Sequence, residues 1–264
     1  MGKLTKKQQE AIKYKLRDKF NRREKADMVH AGDVPKYIRK RVPYIRRLSR
    51  NLDQVLIVAS FKSPDLKPGL IDRLLVMAEL EEVEAVICLN KADLLGDPAE
   101  AESIAAIYRN IGYPVVITSV VTGQGVKELQ RMLQGKRSAL AGHSGVGKSS
   151  LLNAMHKDVQ VAVGEVSYSN NKGRHTTTQV KTYTLDEETE LIDLPGLKHV
   201  DFFDIHRDEA RFYYREFLDY AEGCKFSNCL HLSEKSCAVK EAVEAGRIAR
   251  ERYRSYEQFV TTLE

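Results

Sequence analysis

At 264 residues, with 42% hydrophobic and 30% charged side chains, the chain has room for one medium domain with small appendages and is too apolar to be disordered. It has no apolar run of about eighteen residues and no apolar signal core at its N-terminus, so neither membrane insertion nor secretion is expected; the expectation is a cytoplasmic protein without a membrane partner. The formal charge of +5 is unevenly placed: residues 1–50 hold 17 Lys and Arg against 5 Asp and Glu, a net +12 that leaves −7 for the rest, and such a basic arm points to a polyanion, RNA foremost.

Within that arm, Ile12, Leu16 and Phe20 recur at helical spacing among Lys and Arg, which predicts an amphipathic basic helix over residues 5–27. Gly32, Asp33 and Pro35 break it, and a second basic stretch runs from Lys36 to Arg50. The pattern then changes. Val55–Ala59 is a short continuous apolar run, as expected of a strand covered on both faces, and Leu70–Leu80 has helical spacing. Ala85–Leu89 reads as a second buried strand, followed by a helix from about Pro98 to Ile111, a strand at Val115–Thr118 and a helix from about Val126 to Leu133. Ser138–Ala141 is the next strand, and Thr182–Leu185 with Glu190–Ile192 reads as a hairpin around the acidic turn at Asp186–Glu188. Strands alternating with helices predict an α/β fold with a mostly parallel sheet, and the chain beyond residue 206 reads as helical.

Three motifs fall at strand ends. Gly142-His143-Ser144-Gly145-Val146-Gly147-Lys148-Ser149 is a complete phosphate-binding loop between a strand and a helix. Its glycines let the backbone curve around phosphate oxygens, and the helix beginning near Lys148 turns its free N–H groups and positive dipole end toward them. Lys148 is expected to bridge the β- and γ-phosphates, and Ser149 to ligate Mg²⁺. Asp193-x-x-Gly196 follows a strand some forty-five residues after Lys148, where Asp193 suits water-mediated Mg²⁺ binding and the Gly196 amide the γ-phosphate. Between them, Gly173–Thr178 offers hydroxyls to complete the Mg²⁺ shell, with Thr177 and Thr178 as equal candidates. Asn90-Lys91-x-Asp93 selects the base. The Asp93 carboxylate accepts from the N1–H and exocyclic amine of guanine, a pair adenine lacks; Asn90 is expected on the base carbonyl side and Lys91 across the ring face. Ser119 is placed to offer its backbone N–H to the guanine carbonyl. The expected nucleotide contacts are thus Asn90, Lys91, Asp93, Ser119, Gly142, Ser144, Gly145, Val146, Gly147, Lys148, Ser149, Ser150, Thr177, Thr178, Asp193 and Gly196. In an ordinary GTPase the base motif comes last; here it comes first, which predicts a circular permutation.

Hydrolysis requires an oriented water. Many GTPases place a glutamine directly after Asp-x-x-Gly for this, but here the residue is Leu197. His175 is the nearest candidate, the alternative being that it only packs or caps its loop, and a slow intrinsic rate raised by a partner is predicted. A second chemistry lies near the C-terminus. Cys224, Cys229, His231 and Cys237 fall within fourteen residues and supply three thiolates and one imidazole, a full tetrahedral set for a structural Zn²⁺ with no open position. Cys88 stands alone in a strand and reads as core packing.

Together these residues make the chain similar to the RsgA (YjeQ) family of circularly permuted GTPases, which act in maturation of the small ribosomal subunit. The resemblance covers roughly residues 45–264 and is carried by Asn90–Asp93, Gly142–Ser150, Gly173–Thr178, Asp193–Gly196 and the Cys224, Cys229, His231, Cys237 spacing. The last discriminates most, because other permuted GTPases lack that segment. It implies low intrinsic turnover stimulated by the small subunit, dependence on Mg²⁺, zinc and rRNA contacts from flanking domains, and a hydrolytic role for the switch-loop histidine. Family members usually carry an N-terminal OB-fold barrel, but residues 1–45 are short and lack strand alternation. The expected division is therefore a basic segment over 1–45 without a complete OB-fold, a GTPase domain over 46–205 and a zinc-binding helical domain over 206–264, in a monomer that binds GTP and GDP. Two other readings stand beside it. One is a metabolic P-loop ATPase or kinase, against which Asn90–Asp93 argues; the other is a zinc-containing RNA-binding module using GTP only as a structural or switch ligand, which Leu197 keeps open.

Overall fold

Gln54–Ser60 is buried at every position, and this strand, β1, lies at the centre of a six-stranded sheet. The computed structural model describes residues 52–155, 181–193 and 205–263; the basic arm, the Gly173–Thr178 loop and Gly196 lie outside them. β2 (Glu84–Asn90), β3 (Val115–Ile117), β4 (Arg137–Ala141), β5 (Lys181–Thr184) and β6 (Glu190–Asp193) complete the sheet in the order β3-β2-β1-β4-β6-β5. Every neighbouring pair is parallel except β5 with β6, which is the expected hairpin at the edge. The register sets Ser60 beside Asn90 and Leu89 beside Ile117, so the carboxyl ends of these strands share one edge, where open α/β sheets bind ligands.

The helices follow the apolar spacing. α1 (Pro68–Glu81) begins two residues before the periodic apolar positions, because Pro68 suits the first turn, where no N–H partner is needed. α2 (Pro98–Arg109) is capped by Asp97, whose Oδ1 accepts from the Ala99 N–H at 2.9 Å. α3 (Val126–Leu133) buries Val126, Leu129 and Leu133 on one stripe, and α4 (Lys148–Met155) buries Leu151, Leu152 and Met155. These side chains close over Leu56, Val86, Cys88, Leu140 and Leu191 to form one core, while α1 covers β1 and β2 with Ile71, Leu74 and Leu75.

Residues 205–263 form a second compact unit. A 3-10 turn (Ala210–Tyr213) precedes α5 (Arg215–Ala221), α6 (Ala238–Glu244) and α7 (Arg250–Thr261). Such lengths are marginal for isolated helices, so packing must hold them. The packing is aromatic: the Phe217 ring lies 4.8 Å edge-on from Tyr256 and 5.3 Å from Tyr214. Inside this cluster the Arg252 guanidinium makes a two-pronged pair with Glu216, at 2.7 and 3.1 Å, and covers the Tyr214 ring at 4.7 Å. No described helix is long and apolar enough to cross a membrane.

Candidate functional site

The phosphate loop leaves β4 at Ala141 and enters α4 at Lys148. Two of its glycines are required by their surroundings. Gly142 has φ +144° and a Cβ there would meet the Val58 carbonyl oxygen at 2.2 Å; Gly147 has φ +98° and a Cβ would lie 2.3 Å from Asn90 Nδ2. Lys148 Nζ donates to the carbonyls of Gly142 and His143 at 2.8 and 2.9 Å, so the ammonium lies along the inner curve of the loop. Ser149 and Ser150 stand partly exposed in the first turn of α4, Ser144 is exposed, and Val146 is buried beneath the loop. Asp193 ends β6 beside Leu140 of β4, and its charge, after burial, helps push the Tyr183 hydroxyl above its ordinary pKa. Asp193 therefore lies beside the end of β4 from which the phosphate loop leaves.

Two loops build the opposite end. Lys91 adopts a left-handed conformation and starts the 3-10 turn Ala92–Leu94, whose first N–H, that of Ala92, donates to the Thr118 carbonyl at 3.1 Å. Ser119 Oγ then donates to Asp93 Oδ1 at 2.5 Å, aligning the exposed carboxylate. Lys91 Nζ donates to the Ser63 carbonyl; burial lowers its pKa, and Asp93 works against that shift.

One sequence expectation is extended here and another corrected. Asn90, expected against the base, is 2% exposed and is also bonded to protein: one N–H of its Nδ2 donates to the Val146 carbonyl at 2.9 Å and its Oδ1 accepts from Thr118 Oγ1 at 3.0 Å. It staples the base-reading loop to the phosphate loop. The Ser119 N–H, expected on the guanine carbonyl, donates instead to the Gln124 carbonyl at 3.0 Å, so the contribution of Ser119 is its hydroxyl. Thr118, not singled out by sequence, is the residue that orients Asn90. His175, Thr177, Thr178, Gly196 and Leu197 lie outside the described residues.

In the second unit the metal-ligating atoms of Cys224, Cys229, His231 and Cys237 all lie within 4.8 Å of one another. The Cys224 and Cys237 sulfurs are 3.9 Å apart, and His231 Nδ1 lies 3.6 Å from the first and 3.4 Å from the second. A tetrahedral ion with sulfur at about 2.3 Å and nitrogen at about 2.0–2.1 Å demands edges of about 3.8 Å (S···S) and 3.5 Å (S···N), which these three edges match. Burial, joined by the Arg211 charge, pushes the His231 pKa down to about 4 and leaves a neutral imidazole; burial also raises the Cys237 thiol and pushes Cys229 up to about 12. Thiolates in that setting require a cation among them. The outer contacts are firm: Tyr253 Oη donates to the His231 carbonyl at 2.6 Å, Arg211 to the Cys229 carbonyl at 2.6 Å, and Glu234 accepts from the Leu230 and Leu232 N–H groups at 2.6 and 2.8 Å.

A parallel sheet that carries its base-reading loop on β2 and its phosphate loop after β4, bonded to each other through Asn90, defines a circularly permuted P-loop GTPase. The profile of the RsgA GTPase family matches residues 36–203. The small ribosomal subunit biogenesis GTPase RsgA of Caldanaerobacter subterraneus subsp. tengcongensis is 42% identical over 224 residues, covering 83% of this chain and 75% of that protein. The protein of the same name from Geobacillus thermodenitrificans is 44% identical over 216 residues, 81% of this chain and 73% of that one. Among solved structures, YjeQ from Thermotoga maritima superposes with a TM-score of 0.69 at 39% identity, covering 81% of this chain and 72% of that chain. YloQ, a circularly permuted GTPase, gives 0.63 at 32% identity, over 80% of this chain and 68% of that chain. The chain belongs to the RsgA GTPase family and is a GTP-hydrolysing enzyme.

Proposed function

We propose that this GTPase works on the small ribosomal subunit late in its maturation, converting GTP to GDP and phosphate at a rate the subunit raises. The observation that carries the reading is the Asn90 staple, which makes one site of the guanine motif and the phosphate loop, in a chain whose curated relatives are named for small-subunit biogenesis. In this site Asp93 reads the N1–H and amine of guanine, Lys91 covers the ring, and the Val120 N–H, next along from Ser119, meets the base carbonyl. Gly142 and Ser144 to Ser150 wrap the phosphates, with Lys148 on the β- and γ-oxygens. Ser149, Asp193 and Thr177 or Thr178 would hold Mg²⁺, whose charge neutralises the phosphates; Gly196 senses the γ-phosphate and His175 orients the attacking water.

The four ligands of the second unit take Zn²⁺, a structural ion that supplies folding energy to residues 206–264 beside the 46–205 GTPase domain. Contact with rRNA is assigned to two surfaces. The basic 1–45 arm neutralises phosphates. Phe226, 44% exposed on the Cys224–Cys229 turn with Lys225 Nζ 5.7 Å from its ring centre, offers a stacking face next to a charge. The protein acts as a cytoplasmic monomer. GTP turnover measured with and without purified small subunits tests the proposal: a large stimulation supports it, and equal rates would leave an RNA-binding protein that uses GTP as a structural or switch ligand.

A further inference from the structure

Cys88 sits at the centre of β2 with no exposed surface, and packing would be reason enough for a small apolar residue there. Its sulfur, however, lies 3.2 Å from Thr118 Oγ1, the hydroxyl that orients Asn90. The direction of each bond in this chain is fixed by what the groups can donate. The Val146 carbonyl only accepts, so the Asn90 group facing it, at 2.9 Å, is the amide NH₂. The Asn90 oxygen therefore faces Thr118, whose one hydrogen goes to it at 3.0 Å. Thr118 Oγ1 has only lone pairs left for Cys88, and the thiol must donate.

We propose that Cys88 is a positioning residue of the nucleotide site, the first donor in a one-way chain that runs Cys88 → Thr118 → Asn90 → Val146 and sets the shape of the phosphate loop. Its S–H fixes the Thr118 hydroxyl, which fixes the plane of the Asn90 amide. That amide holds the Val146 carbonyl and packs on the Gly147 backbone, where even a Cβ would come within 2.3 Å. All four residues are buried, so water does not substitute for a missing member, and bonds in such a chain polarise one another. Burial pushes the Cys88 thiol up to about 12, which keeps it protonated and able to donate at neutral pH. Cys88 touches no nucleotide in this scheme; it acts through Thr118.

The inference rests on the nucleotide-site reading above, and the two can fail separately. GDP and GTP affinity, kcat and KM are measured for Cys88→Ala, Cys88→Val (no donor, site filled), Cys88→Ser (donor kept) and Thr118→Val, with Lys148→Ala as the reference. Losing one hydrogen bond predicts nucleotide binding about three- to tenfold weaker in Cys88→Ala and Cys88→Val, falling on KM rather than kcat, with Cys88→Ser recovering most of it. In the Thr118→Val background Cys88→Ala should add nothing. Wild-type affinity in both donor-less variants, or equal losses in the two backgrounds, overturns the role of Cys88. If Lys148→Ala itself binds GTP normally, the nucleotide-site reading falls instead.

Discussion

Gly147→Ala puts the Asn90 staple under direct load. At φ +98° a side chain is held in left-handed territory, at about 1–2 kcal/mol. The new Cβ would also meet Asn90 Nδ2 at 2.3 Å, and Asn90 cannot yield without leaving the Val146 carbonyl, a buried acceptor whose loss costs about 1–3 kcal/mol. The loop can escape both by moving out of its phosphate-binding shape, so roughly 2–5 kcal/mol should appear as lost affinity, about thirtyfold to several-thousandfold. Titration with a fluorescent GDP analogue reads this, and a thermal melt on the same samples separates unfolding from loss of binding. The double variant Asn90→Ala/Gly147→Ala supplies the internal control. With the Asn90 side chain gone there is nothing to strike, so the two substitutions should cost about 1–3 kcal/mol less together than the sum of each alone. GDP binding within twofold of wild type in Gly147→Ala, or strict additivity in the double variant, would refute the reasoning.

The remaining predictions concern the second unit and the hydrolytic step. Chelation, or Cys237→Ser, should collapse the near-ultraviolet signal of the Tyr214, Phe217 and Tyr256 cluster and lower helicity; the chain has no tryptophan, so the readout comes from tyrosine, and an unchanged spectrum after verified metal loss would count against a structural metal. Arg252→Met alone strands Glu216 and should cost about 3–5 kcal/mol, while Glu216→Leu/Arg252→Met should regain most of it; calorimetry showing the double variant no better than the single would dispose of that account. Phe226→Ala should weaken subunit binding while leaving the subunit-free GTPase rate alone, and equal affinity for subunits would remove Phe226 from the interface. His175→Ala should abolish stimulated turnover at saturating GTP; a retained stimulated rate would exclude the imidazole from water positioning.

Much of the nucleotide unit could be read from sequence because its signals are local. Val55–Ala59 and Ala85–Leu89 are apolar without interruption, and strands buried on both faces need that, so β1 and β2 emerge within a residue or two of expectation. Loop glycines and the Asn-Lys-x-Asp pattern are also contiguous. What was not legible depends on side chains meeting across the sheet. Nothing in the sequence says that Asn90 reaches Val146, 56 positions away, or that the Ser119 N–H is spent on Gln124. The second unit was harder still. Its short helices are fixed by aromatic contacts and by ligands whose spacing is readable, but whose outer partners, Arg211 and Tyr253, carry no pattern.

The strand order has a consequence for synthesis. β3, β2 and β1 are consecutive in the chain and occupy one half of the sheet, while β4, β6 and β5 occupy the other, so the strands of the two halves pair along the seam between β1 and β4. The first half, with its base-reading loop, can be translated as a continuous βαβαβ segment before any phosphate loop exists. Asn90 then waits for Val146, and the two loops are joined only once the second half has emerged. Stalled nascent chains of increasing length, probed by limited proteolysis, should show residues 52–133 protected before nucleotide changes the pattern at all.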